Sequence, residues 1–95
     1  MKKEQDKEQN PEEMARERLE LGKFYFLNQR YEEAIDQLKK ALTFQKDSAD
    51  IYFNLGVVYE AINQVADAKD SFEKALNLQP NMKSAQEHLD KLVGV

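Results

Sequence analysis

The stretches Leu21-Gly22-Lys23-Phe24-Tyr25 and Leu55-Gly56-Val57-Val58-Tyr59 decide the fold, because they are one pattern written twice, 34 residues apart. Sliding the sequence on itself by that step also aligns Ala15/Ala49, Ala34/Ala68, Asp36/Asp70, Lys40/Lys74, Ala41/Ala75, Leu42/Leu76 and Gln45/Gln79. Chance gives about two identities in such a window at ordinary residue usage. Amphipathic helices alone predict apolar opposite apolar, yet here the same small or aromatic residue returns. Glycine inside a helix costs about 1 kcal/mol relative to alanine, so its recurrence needs a reason, and close approach of a neighbouring helix supplies one. Ala34, Ala41, Ala68 and Ala75 are read as the small residues of the partner helices, with Tyr25 and Tyr59 filling volume beside each contact. The unit implied is an antiparallel helix pair covering residues 15–48 and again 49–82. Such pairs stack into a curved solenoid with a concave side.

Around this repeat the apolar periodicity supports about five helices and no strand. Asn10, Pro11 and Glu13 form the best start signal: an asparagine that caps, a proline at the first helical position, and a carboxylate placed to return a bond to the Asn10 amide. Met14, Leu21, Phe24 and Tyr25 mark the first stripe, and Ala34, Leu38, Ala41 and Leu42 the second, with the break at Leu27 to Arg30. The third segment runs from Asp50 to about Ile62 and the fourth from about Val65 to Leu78, ended by Pro80, which lacks the amide a helix interior needs. Asn81 is expected to cap a last helix carrying Ala85, Leu89, Leu92 and Val93. Phe24, Tyr25, Phe44, Tyr59 and Phe72 are assigned to the core, since helical aromatic stripes usually fill volume. Residues 1–10 lack a buried-face pattern and read as a disordered lead-in to a single domain over residues 11–95.

Composition narrows the function. With 95 residues the chain buries only about 60 to 65% of its unfolded surface. Charged residues make up 34% of it, the net charge is −4, and acids and bases are interspersed, which argues against nucleic acid or an anionic membrane as the main partner. Cysteine is absent, excluding disulfides and thiolate chemistry. The polar residues after Lys2 and Lys3 do not make a secretion signal, and no apolar run approaches the about 18 residues of a membrane span, so a cytoplasmic protein or a soluble piece of a larger one is expected. No catalytic, cofactor or metal constellation can be assembled around the single histidine, His88. The pairs Glu12-Glu13 and Glu32-Glu33 sit near helix starts, where they complement the macrodipole. The chain is therefore read as a non-enzyme without cofactors.

These residues resemble the tetratricopeptide-repeat family. Leu21-Gly22-x-x-Tyr25 with Ala34, Leu38 and Ala41, then Leu55-Gly56-x-x-Tyr59 with Ala68, Phe72, Ala75 and Pro80, follow that family's pattern at its 34-residue period. The resemblance implies a short right-handed α-solenoid of two repeats plus a capping helix at residues 82–93. Departures are present: Arg18 stands where the family often has an aromatic residue, the role Tyr52 fills in the second copy, and Lys46 replaces an inter-repeat proline. The turn that is commonly glycine is Gln29 in one copy and Asn63 in the other, and asparagine takes a left-handed conformation far better than glutamine.

In proteins of this family the first helix of each pair lines the concave groove, where a partner's peptide or amphipathic helix lies. Carried over, the groove candidates are Arg16, Leu19, Glu20, Lys23 and Phe26 from the first repeat and Phe53, Asn54, Val57 and Glu60 from the second, with Ser84, Glu87, His88 and Lys91 from the last helix. Leu19, Phe26, Phe53 and Val57 have a second reading, as partly buried packing residues. Family members that grip a C-terminal carboxylate place lysine, asparagine, asparagine, lysine and arginine where this chain has Leu19, Lys23, Asn54, Ser84 and His88; only Asn54 matches, so the charge-assisted bonds of that grip are missing. The resemblance therefore implies an adaptor that binds a protein or peptide partner through a mixed, partly apolar groove. The alternative is a self-associating scaffold module, a weak homo-oligomer, because two repeats are fewer than the three usually needed for a stable core.

Overall fold

A computed structural model describes residues 10–94, so the reading of residues 1–9 as a disordered lead-in falls outside it, and Asn10 itself is ordered as a helix cap. Five α-helices and no strand are present among the described residues. The chain divides into two compact units, Met1–Lys46 and Asp47–Val95. The first holds α1 (Pro11–Leu27) and α2 (Tyr31–Phe44); the second holds α3 (Ala49–Ala61), α4 (Val65–Leu78) and α5 (Lys83–Val93).

In the first unit α1 starts as its sequence dictates. Asn10 Oδ1 accepts from the amides of Glu12 and Glu13 at 2.9 and 3.3 Å, with Pro11 at the first helical position; the return bond from Glu13 is not formed among the described residues. The helix ends without glycine or proline. Gln29 takes φ 61°, the Arg30 amide donates to the Tyr25 carbonyl at 2.8 Å and the Gln29 amide to Phe26 at 2.9 Å. This is a Schellman closure. The Arg30 guanidinium lies 5.4 Å from the centre of the Tyr25 ring, and it donates twice to Glu33 Oε2, a hydrogen bond that holds the Glu33 carboxyl below its usual range. The second unit repeats the closure: Asn63 has φ 62°, with Gln64 donating to Tyr59 at 2.9 Å and Asn63 to Glu60 at 3.0 Å.

Antiparallel pairing follows from who meets whom: Phe26 faces Tyr31, Gly22 faces Ala34 and Leu38, and Arg18 donates to Gln37 Oε1 at 2.9 Å. Both glycines do more than admit small residues. A Cβ on Gly22 would lie 2.8 Å from Leu38 Cγ and 3.3 Å from the Ala34 carbonyl oxygen. On Gly56 it would lie 2.6 to 2.8 Å from three atoms of the Phe72 ring. The close helix approach expected at Gly22 is met at the Ala34 carbonyl, and each glycine is in addition the socket for a large side chain of the partner helix, with the alanines beside it fully buried. Leu38 and Phe72 are themselves 34 residues apart.

Three further expectations are corrected. Phe24 is 58% exposed, because it stands nine positions from buried Ala15, on the opposite side of α1 at about 100° per residue. Phe44 is exposed at the last residue of α2, off the Ala34, Leu38 and Ala41 stripe. Asn81 does not cap α5: Met82 occupies the cap, its carbonyl accepting from Gln86 at 3.2 Å, while its side chain packs on the buried cluster of Ala68, Phe72, Ala75 and Ala85. Tyr25 and Tyr59 are half-buried and Phe72 is fully buried.

Two outcomes follow. Replacing Gln29 by glycine relieves a left-handed position and raises the melting temperature by a few degrees, corresponding to about 0.5–1 kcal/mol, in a thermal scan followed by circular dichroism; Asn63→Gly gains less. Gly56→Ala, favoured by helix propensity alone, instead destabilises by about 1–2 kcal/mol in urea unfolding, because overpacking against a buried ring outweighs propensity.

Candidate functional site

The groove candidates fall into two sets, one in each unit. On α1, Arg16, Glu20 and Lys23 are exposed and Leu19 and Phe26 half-buried. Stepping at about 100° per residue, they occupy one side of the helix, adjacent to the buried side marked by Ala15 and Gly22. Lys23 Nζ lies 3.6 Å from Glu20 Oε2, an exposed pair worth little in water. Phe26 meets Tyr31 in a tilted ring contact, centres 5.8 Å apart, and stays half-buried.

In the second unit Phe53, Asn54, Val57 and Glu60 lie along one side of α3, all half-buried. Their support comes from the Gly56 socket. The Phe72 ring seated there meets Phe53 at 5.7 Å and lies nearly parallel to the His88 ring at 5.1 Å, while Phe53 and His88 meet edge-on at 5.6 Å. His88 Nδ1 lies 2.7 Å from Glu60 Oε1, with both side chains less than a third exposed. This triad of rings and one hydrogen bond connect α3, α4 and α5. His88 and Glu60 thus come together as each other's partners, a pairing the sequence reading did not make. Asn54 Nδ2 donates to the Asp50 carbonyl oxygen at 2.8 Å, so one donor of its amide is used within the helix. Ser84, Glu87 and Lys91 are exposed on α5.

At the register position where Arg18 reaches Gln37, the second copy has Tyr52, whose ring receives the Lys74 ammonium at 5.7 Å. Lys74 also bonds Asp70 at 3.1 Å, which holds its ammonium above the usual range. Among the described residues no three His, Asp or Glu side chains converge to hold a metal, and no helix is long and apolar enough to cross a membrane. Arranged this way, the residues can offer half-buried apolar anchors rimmed by charge.

The sequence is similar to known proteins. Residues 22–63 match the family model described as TPR repeat, and residues 49–82 the model described as tetratricopeptide repeat. Anaphase-promoting complex subunit 3 of Dictyostelium discoideum is 36% identical over 76 residues, which is 79% of this chain and 8% of that protein. The peroxisomal targeting signal receptor of Candida albicans is 32% identical over 69 residues, 73% of this chain and 12% of the receptor. The chain thus spans roughly a tenth of the length of these curated relatives. Among solved structures, the first TPR of Spaghetti, bound to the HSP90 peptide SRMEEVD, superposes with a TM-score of 0.56 at 21% identity, covering 87% of this chain and 93% of that one.

The ring triad yields its own prediction. His88→Ala removes a stacked ring and a hydrogen bond from a part-buried site and lowers stability by about 1–2 kcal/mol in chemical denaturation. Hydrogen exchange then shows faster opening of α5 than of α3.

Proposed function

The chain belongs to the tetratricopeptide-repeat family, and on that premise we propose that it is a non-catalytic protein-interaction module that takes a peptide or an amphipathic helix of a partner along the first helix of each repeat. The observation that carries the reading is the state of four apolar side chains. Leu19, Phe26, Phe53 and Val57 are neither closed into a core nor isolated on the surface; each is half-buried on a helix side that also carries exposed or half-exposed polar groups. A fixed apolar anchor with a polar rim is what an inserted leucine or aromatic residue of a partner needs.

The structural neighbour is bound to an HSP90 peptide. For this chain an apolar anchor fits better than a carboxylate, since Leu19 and Ser84 replace two of the cationic positions of carboxylate-gripping relatives and His88 is engaged by Glu60. A cytoplasmic setting belongs to the same reading. Val93, 45% exposed at the end of α5, favours a second one, in which the module self-associates.

Substituting Leu19 and Phe26 together by aspartate tests the proposal, since Phe53 and Val57 also pack on the cluster around Phe72. Affinity capture from the native source loses its partner with this double variant under conditions where circular dichroism shows it folded. A partner retained by the folded double variant rules the proposal out. For the second reading, sedimentation from micromolar to millimolar concentration shows a rising mass, and a constant monomer excludes it.

A further inference from the structure

Phe24 and Leu27 stand one turn apart on α1, 58% and 78% exposed, the two most open large apolar side chains among the described residues. Glu13, Glu17 and Glu20 are exposed on the same side of the helix, within about 60° of Phe24 at about 100° per residue. Leu19 and Phe26 lie about 140° to 160° from Phe24 around the helix, while Leu27 and Glu20, within about 40° of Arg16, stand where this face borders the one in the proposed function. The repeat register identifies the Glu17 and Phe24 positions of this face as packing positions, whereas Leu27 falls on Ala61, which is exposed. Thirty-four residues on, Glu17 becomes Ile51 and Phe24 becomes Val58, and each of those is 1% exposed. One helix position is therefore covered in the second copy and uncovered in the first.

The composition of the uncovered face selects its cover. A side of the helix that met only water has no use for a phenylalanine and a leucine one turn apart. A side meeting a purely apolar cover would not carry Glu17 in the place of Ile51, because burying an unpaired carboxylate is costly. We infer that this face of α1 docks a basic amphipathic helix of a partner protein. Phe24 and Leu27 enter its apolar stripe, and Glu13, Glu17 and Glu20 meet lysines or arginines along its flank. Glu20 is already drawn to Lys23 at 3.6 Å in an exposed pair that a partner's cation can displace. A second copy of the chain is the poorer occupant: face against identical face sets three carboxylates opposite three carboxylates.

The test uses the whole chain, isotope-labelled, titrated with a designed helical peptide of about 18 residues carrying a leucine stripe flanked by lysines, and with a companion in which glutamates replace the lysines. The lysine peptide shifts the amide resonances of Glu17, Phe24 and Leu27. Affinity falls about tenfold or more for the glutamate companion, for the Phe24→Ser/Leu27→Ser variant and for the Glu13→Lys/Glu17→Lys variant, each variant keeping wild-type helicity by circular dichroism. The inference is overturned if the lysine peptide fails to bind up to millimolar concentration, or if the glutamate companion or the serine variant binds equally well. Shifts centred on Leu19 and Phe26, or on Phe53 and Val57, overturn it too, by assigning the peptide to the other face. So does a dimer in sedimentation that the serine variant dissolves, since the occupant would then be a second copy.

Discussion

A missing Cβ governs each helix pair. Gly22 receives Leu38 and Gly56 receives Phe72, at distances where any other residue would put a carbon inside its neighbour's van der Waals shell. A socket of this kind fixes both the separation of two helices and their rotation about their own axes, because a knob enters at one place only. In the second unit its influence extends further. The Phe72 ring held by Gly56 is the platform on which Phe53 and His88 settle, and His88 in turn engages Glu60. Four residues from three helices thus depend on a glycine that none of them would identify individually.

The repeat was legible because its constraints are local and recur at a fixed step. Identical glycines, alanines and tyrosines at 34 residues reveal a paired-helix unit whatever the helices pack against. The turns were legible for a related reason: the left-handed residues Gln29 and Asn63 each close a helix through the same pair of backbone bonds, and asparagine at one of them carries a conformational signal. What escaped depends on rotation and on distance along the chain. Phe24 lies in an aromatic cluster that looks like core, and only its position opposite Ala15 shows that it faces outward. The alanines flanking each socket show in the sequence that the helices come close, but not that Leu38 and Phe72 are the side chains aimed at the glycines. Asn81 has the chemistry of a cap, yet Met82, with its side chain drawn into the core, takes the position. The pairing of His88 with Glu60 joins residues 28 apart in the sequence through the docking of α5, which no periodicity encodes.

Binding, in this account, is a consequence of what the sockets leave over. Once Gly22 is committed to α2, and Ala15, Leu55 and Gly56 are buried, the neighbouring sides of α1 and α3 carry further apolar groups in half-covered positions. Such side chains are ordered by their own helix pair before any partner arrives, which reduces the entropy lost on association. Charge contributes through arrangement more than amount: a net −4 hides a first helix on which Glu13 and Glu17 flank Phe24 while Glu12 and Glu20 stand beside Arg16 and Lys23.

The claim on which all of this rests is that Gly56 and Phe72 act as one unit, and a double-mutant cycle measures it directly. Gly56→Ala, Phe72→Leu and the combined variant are unfolded in urea and their free energies compared. A socket and its knob predict that the smaller leucine side chain relieves the clash, so the double variant is more stable than the sum of single losses allows, by about 1 kcal/mol or more. Strict additivity would contradict the account, since it would mean that the glycine is tolerated for reasons unconnected with the ring.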